Sequence, residues 1–180
     1  MKKFFENLKI LYMQASSKIE QTVARQLFSF SLTVSTAESC TGGLISSRLT
    51  DISGSSTYIK ENFVTYSEDA KVDILGVDRE VIENHGVVSE ECAKAMAEGL
   101  FRKTNRDICI AITGVAGPQP SGGMPVGTAF IAIKNKYNIE VKALKLNSHL
   151  SRKTLKFLFS EEALTFLLEF IKSNYQITQQ

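Results

Sequence analysis

Apolar residues recur along this chain with two alternating periods, one helical and one extended. Phe4, Leu8 and Leu11 fall at helical spacing, and Ile19, Val23 and Leu27 do so again, with Ser16 and Ser17 marking a break or cap between them. The second piece is expected to pack on the core. Residues 1–17 read as a helical extension ahead of a domain over 18–180, and they serve as either a dimer contact or a loose arm. Residues 32–35 are short and β-prone, and predict a buried strand. Leu44, Ile45 and Leu49 then suit one face of a short helix. Residues 51–56, Asp-Ile-Ser-Gly-Ser-Ser, read as a loop, and residues 58–66 end in the β-prone run Phe63-Val64-Thr65-Tyr66.

Capping signals organise the next stretch. Ser67 predicts an N-cap, with Glu68 and Asp69 favourably placed in the first turn of a helix through Lys71, Val72 and Leu75 that stops at Gly76. Asp78 predicts the cap of a short helix ending near His85 and Gly86. Ser89 starts a longer one whose apolar face holds Cys92, Ala93, Met96, Ala97 and Leu100. Residues 107–113 are nearly all apolar, as expected of a strand buried on both faces. Residues 114–125 hold all three prolines and four of the eleven glycines, which excludes regular structure there. Residues 127–133 and 139–146 predict two strands joined by a turn at Asn135-Lys136-Tyr137-Asn138. A closing helix over 150–175 turns Leu155, Leu158, Phe159, Phe166, Leu167, Phe170 and Ile171 inward.

Strands alternating with helices and followed by a hairpin predict a layered α/β fold with a mixed sheet. Ligands of such folds bind beyond the carboxyl ends of strands. Three such ends carry the unusual residues: Ser39 onward, Tyr66 to Lys71, and Thr113 to Gly123.

Composition narrows the class. With 180 residues, 43% hydrophobic and 22% charged, the chain fits one globular domain. A net charge of +2 without a Lys/Arg stripe argues against nucleic acid. Three cysteines without paired spacing fit a reducing compartment, and two histidines without a Cys-x-x-Cys pair argue against structural zinc. Glu6, Asn7 and Lys9 interrupt the apolar run that a signal peptide would need, and no apolar stretch approaches the ~20 residues of a membrane span. The cytoplasm is the default expectation.

The stretch Thr36-Ala37-Glu38-Ser39-Cys40-Thr41-Gly42-Gly43 carries the candidate chemistry. A hydroxyl at a strand-to-helix turn is exposed where free N–H groups converge, and paired glycines allow close backbone approach. Phosphate loops and plain capped turns use the same parts, so the turn alone leaves all three roles open. Either Ser39 or Cys40 could be a nucleophile, since a helix N-terminus lowers a thiol pKa. Lys71 could be a base: the helix dipole disfavours its charge while Glu68 and Asp69 favour it, and burial decides between them.

The run Ala37-Glu38-Ser39-Cys40-Thr41-Gly42-Gly43, then Phe63-Val64-Thr65-Tyr66-Ser67 with Ala70-Lys71, resembles the C-terminal domain of the CinA (competence/damage-inducible) family. Gly86-Val87-Val88-Ser89, Gly114-Val115-Ala116-Gly117-Pro118 and Pro125-Val126-Gly127-Thr128 continue the match in order. The resemblance implies a three-layer α/β/α sandwich, usually dimeric and free of metal or other cofactor. Its implied activity is hydrolysis of nicotinamide mononucleotide (NMN) to nicotinate mononucleotide and ammonia, with Ser39, Tyr66 and Lys71 catalytic. It also implies a small-molecule substrate held by Cys40, Thr41, Gly42, Gly43, Thr113, Gly114, Gly117 and Arg152, the last matching an arginine near the start of the family's final helix. Ser151 and Gln119 stand where aspartates are usual, and Met124 where lysine is. The rival class is a non-catalytic module holding a nucleotide to regulate a partner. Many relatives carry a separate N-terminal domain, for which this chain is too short.

Overall fold

In the computed structural model, which describes residues 19–175, the second amphipathic run forms α1 (Ile19–Ser29) and buries Val23, Ala24 and Leu27. The expected extension over 1–17 lies outside the described residues. β1 (Val34–Glu38) leads into α2 (Leu44–Thr50), and a single 3₁₀ turn at Ser55–Thr57 precedes β2 (Ile59–Val64). α3 (Glu68–Leu75), α4 (Arg79–His85) and α5 (Glu90–Thr104) follow. β3 (Ile108–Gly114), β4 (Thr128–Lys134) and β5 (Ile139–Lys145) complete the sheet before α6 (Arg152–Asn174).

Each cap expected between Ser67 and Ser89 forms. Ser67 Oγ accepts from the Ala70 N–H, Asp78 from Glu80 and Ser89 from Cys92, and Gly76 closes α3 in the left-handed region. The hairpin turn is held by the Asn135 side chain, which accepts from the Tyr137 and Asn138 amides.

The strand order is β2-β1-β3-β4-β5. β1 runs parallel to both β2 and β3, while β4 and β5 are antiparallel additions. The mixed sheet is thus parallel where β1, β2 and β3 end together and antiparallel beyond. Ile108, Ile110 and Ile112 of β3 join one core with α1, α2 and α6. Cys109 and Ala111, pointing the other way, join a second core with α3, α4 and α5. Helices therefore cover both faces, giving three α/β/α layers.

Two strand boundaries differ from the sequence expectation. β1 runs three residues past Ser35, through Thr36, Ala37 and Glu38. Polar residues tolerate this buried position because each finds a partner: Ser35 Oγ donates to Glu61 and Thr36 Oγ1 to Asn62, both on β2. β2 ends at Val64, two residues before Tyr66.

The second core is built from smaller side chains than the first, and at one point the backbones themselves touch. A Cβ on Gly99 of α5 would stand 2.0 Å from the carbonyl oxygen of Leu75, the last residue of α3. Only glycine allows these two helices their present spacing.

Candidate active site

The three parallel strands deliver their carboxyl ends to one edge of the sheet. There a cavity of ≈ 180 Å³ is walled by Ser39, Cys40, Tyr66, Thr113, Gly114, Gly117 and Arg152, together with Val87, Gln119 and Ser121. Seven of the residues expected from the sequence meet on it. Thr41, Gly42 and Gly43 do not line it: the Thr41 hydroxyl turns inward to Glu38, Gly42 lies beneath Lys156, and Gly43 caps α2 beside Val64.

Ser39 sits immediately past β1, its N–H still bonded to the Ile112 carbonyl of β3 at 3.1 Å. Its Oγ accepts from Lys71 Nζ at 3.2 Å. Lys71 is fully buried and donates a second bond, 2.8 Å, to the Thr65 carbonyl. Residues 32 positions apart in sequence are thus brought together because β2 pairs with β1 and α3 starts immediately beyond it. Burial pushes the Lys71 ammonium below its ordinary pKa, and the smaller fields of Cys92, Cys40 and Glu68 act the other way. Asp69, the other acid of that first turn, is engaged with Arg79 at 2.7 Å. Desolvation therefore decides what the sequence left open. An amine that burial makes easier to deprotonate than a solvated lysine faces a serine hydroxyl.

Cys40 differs from the sequence expectation. Its thiol is buried in the first core, and burial pushes its pKa up to about 12. That desolvation overrides the lowering expected of a helix N-terminus, and the first free amides of α2 point elsewhere. Those amides go to Glu38, a residue the sequence reading did not single out. Fully buried, its carboxylate accepts from the Ile45 and Ser46 N–H groups at 3.0 and 2.8 Å, and from the Thr41 and Ser46 hydroxyls at 2.7 and 2.6 Å. Glu38 thereby caps α2 from the strand side and pins both ends of the turn that carries Ser39. Four donors around one carboxylate could not be anticipated from a lone glutamate in a strand.

At the other end of the cavity Arg152, the first residue of α6, donates to the Gly117 carbonyl at 2.5 Å and to the Tyr66 hydroxyl at 2.6 Å. Ser151 caps that helix, accepting from Thr154. Gly117 holds φ +79°, and a Cβ there would meet Val126 at 2.9 Å, so the loop after β3 can bring its carbonyl to Arg152 only with glycine. Tyr66 is 60% exposed, and its hydroxyl accepts from the arginine rather than meeting Ser39 or Lys71. Thr113 Oγ1 is committed to the Val87 carbonyl at 2.7 Å, which ties the loop before α5 to the cavity wall.

Comparison with known proteins bears on the family and the fold. The family model for the CinA C-terminal domain matches residues 16–171. A CinA-like protein of Chlorobaculum tepidum is 44% identical over 170 residues, covering 91% of this chain and 40% of its own length. One from Chlorobium limicola is 48% identical over 129 residues, covering 71% of this chain and 30% of its own. The chain thus spans well under half of these curated relatives. Among solved structures, the competence damage-inducible protein A of Klebsiella pneumoniae superposes with a TM-score of 0.84 at 31% identity, covering 88% of this chain and 98% of that one. The competence/damage inducible protein CihA of Agrobacterium tumefaciens gives 0.79 at 37% identity, covering 85% and 95%. With most of its length matched by the family model and its fold matched by these structures, the chain belongs to the CinA C-terminal domain family.

Proposed function

We propose that this chain is an amidohydrolase that converts NMN and water to nicotinate mononucleotide and ammonia. The observation that carries the reading is the buried Lys71 amine, its pKa depressed, 3.2 Å from Ser39 Oγ on the cavity wall. A binding module has no use for a desolvated lysine that meets no carboxylate among the described residues, whereas amide hydrolysis needs a base of this kind.

The neutral Lys71 amine takes the Ser39 proton as Oγ attacks the carboxamide carbon. The resulting oxyanion is met by the Cys40 amide, for which no backbone acceptor appears among the described residues. Collapse breaks the C–N bond, and Lys71 returns the proton to the departing nitrogen, releasing ammonia and leaving an ester on Ser39. Water then attacks that ester with Lys71 again as base, and Ser39 leaves with the proton restored. Arg152 holds the ribose phosphate, a charge-assisted contact that lysine geometry would serve less well. Tyr66 holds the arginine, so its role is to position the phosphate rather than to transfer a proton.

Ammonia release from NMN by the purified protein is the test. Ser39→Ala is expected to lower kcat by at least about 10³-fold while leaving the fold intact. Absence of ammonia with the wild-type protein, or turnover preserved in Ser39→Ala, refutes the reading.

A further inference from the structure

Arg152 stands in the wall of a second cavity as well as the first. This one measures ≈ 460 Å³ and is lined by Leu44, Arg152, Lys153, Lys156 and Phe157. The three cations come from the first five residues of α6. None has a carboxylate partner among the described residues. The acids nearby are engaged elsewhere: Glu20 and Glu161 pair with Arg48, and Glu162 with Lys142. Lys156 Nζ hangs over the catalytic turn, 3.2 Å from where a Cβ on Gly42 would stand. Leu44 and Phe157 supply an apolar surface between the charges.

Size and charge point the same way. Small-molecule pockets span roughly 300–1,000 Å³. The catalytic cavity falls below that range and the second falls within it. Arg152 lines both cavities, so a ligand that reaches this side chain from Ser39 meets beyond it a surface that is cationic with an apolar floor. That combination suits a phosphate followed by a flat ring.

Building on the NMN reading, we infer that the two cavities together bind a nicotinamide dinucleotide. Its nicotinamide half stands at Ser39, its diphosphate crosses Arg152 toward Lys156, and its second nucleoside lies against Leu44 and Phe157. The same cavity is poorly suited to the chain's own residues 1–18, which carry Lys2, Lys3, Lys9 and Lys18 against the single acid Glu6. Like charge would meet like.

The probe is NAD⁺, used as a competitor of NMN turnover and titrated calorimetrically into the full chain. NAD⁺ is expected to compete with NMN. The double variant Lys153→Ala/Lys156→Ala should weaken NAD⁺ binding about tenfold or more, by loss of charge-assisted contacts. The KM for NMN should stay within about twofold, because neither lysine lines the catalytic cavity. An unchanged Tm would exclude misfolding. NAD⁺ that fails to bind the wild-type chain, or a double variant that weakens NMN and NAD⁺ equally or neither, overturns the inference. A wild-type chain that binds NAD⁺ through these lysines but releases no ammonia from NMN would instead refute the amidohydrolase and leave the second cavity as assigned.

Discussion

Arg48 on α2 and Lys71 on α3 lie against opposite faces of the sheet, 5% and 0% exposed, and their surroundings differ in kind. The Arg48 guanidinium meets the carboxylates of Glu20 and Glu161, donates to Ser160 Oγ at 2.8 Å and stacks 4.8 Å above the Phe157 ring. Lys71 meets a carbonyl and a hydroxyl, and no carboxylate among the described residues. A buried charge with its counter-charges stays ionised and joins elements, here α1, α2 and α6. A buried amine without them gives up its proton more readily. The contrast separates a cation paired across three helices from one that is desolvated beside a hydroxyl, as the proposed base must be.

The contrast breaks most sharply at Lys71 itself. Lys71→Met should lower kcat for NMN by about 10²–10⁴-fold, the usual worth of a positioned acid–base group. It should also stabilise the protein by on the order of 1 kcal/mol, a rise of about 2–4 °C in Tm near neutral pH, since a methionine has no ammonium to desolvate. Below the folded pKa of Lys71 the whole cost of burying the charge is present. Between that value and lysine's ordinary 10.5, the unfolded chain holds a proton that the native chain does not, so wild-type stability rises with pH relative to the variant. For the same reason kcat/KM should rise with pH along a limb centred below 10.5. A lower Tm in Lys71→Met would mean that this lysine, too, is structural.

Arg48→Met should do the reverse. It leaves two partly buried carboxylates without the cation between them and is expected to cost about 3 kcal/mol in urea unfolding. The kcat of the folded protein should hold, as Arg48 does not line the cavity beside Ser39. Loss of turnover without loss of stability would erase the distinction.

The smallest effect sharpens the comparison within the site. Cys40 stays a neutral thiol, its pKa pushed up to about 12, so Cys40→Ala should cost only about 1 kcal/mol for the lost packing and keep most of the activity. Inactivation by Cys40→Ala, with Ser39→Ala still turning over, would transfer the nucleophile to its neighbour.

What the sequence disclosed follows from the range of the forces involved. Ser67, Gly76, Asp78 and Ser89 were legible as helix boundaries because a cap bonds within a few residues of itself. β3 was legible because a strand buried on both faces must be apolar throughout. The end of β1 was not, since Thr36 and Glu38 look like loop residues until β2 and α2 arrive to bond them. The charge state of Lys71 was undecidable locally: Glu68 and Asp69 beside it read as a solvated face, and its burial is created by α5 and the sheet. The pairing of Arg48 with Glu161, 113 positions apart, is likewise written only in the fold.

The contact between Gly99 and Leu75 has a further consequence for reading such sequences. The spacing it permits is what sets how far the Lys71 amine reaches, because Lys71 is one turn from the end of the helix that rests there. An alanine at 99 would act as a spacer, lifting α3 off α5 and drawing the amine out of range of its serine while every residue on the cavity wall stayed the same. Inheritance of the serine and the lysine is therefore an incomplete hallmark of a working member. A descendant could fall silent through one methyl group on the far side of a helix, and its site would still look whole.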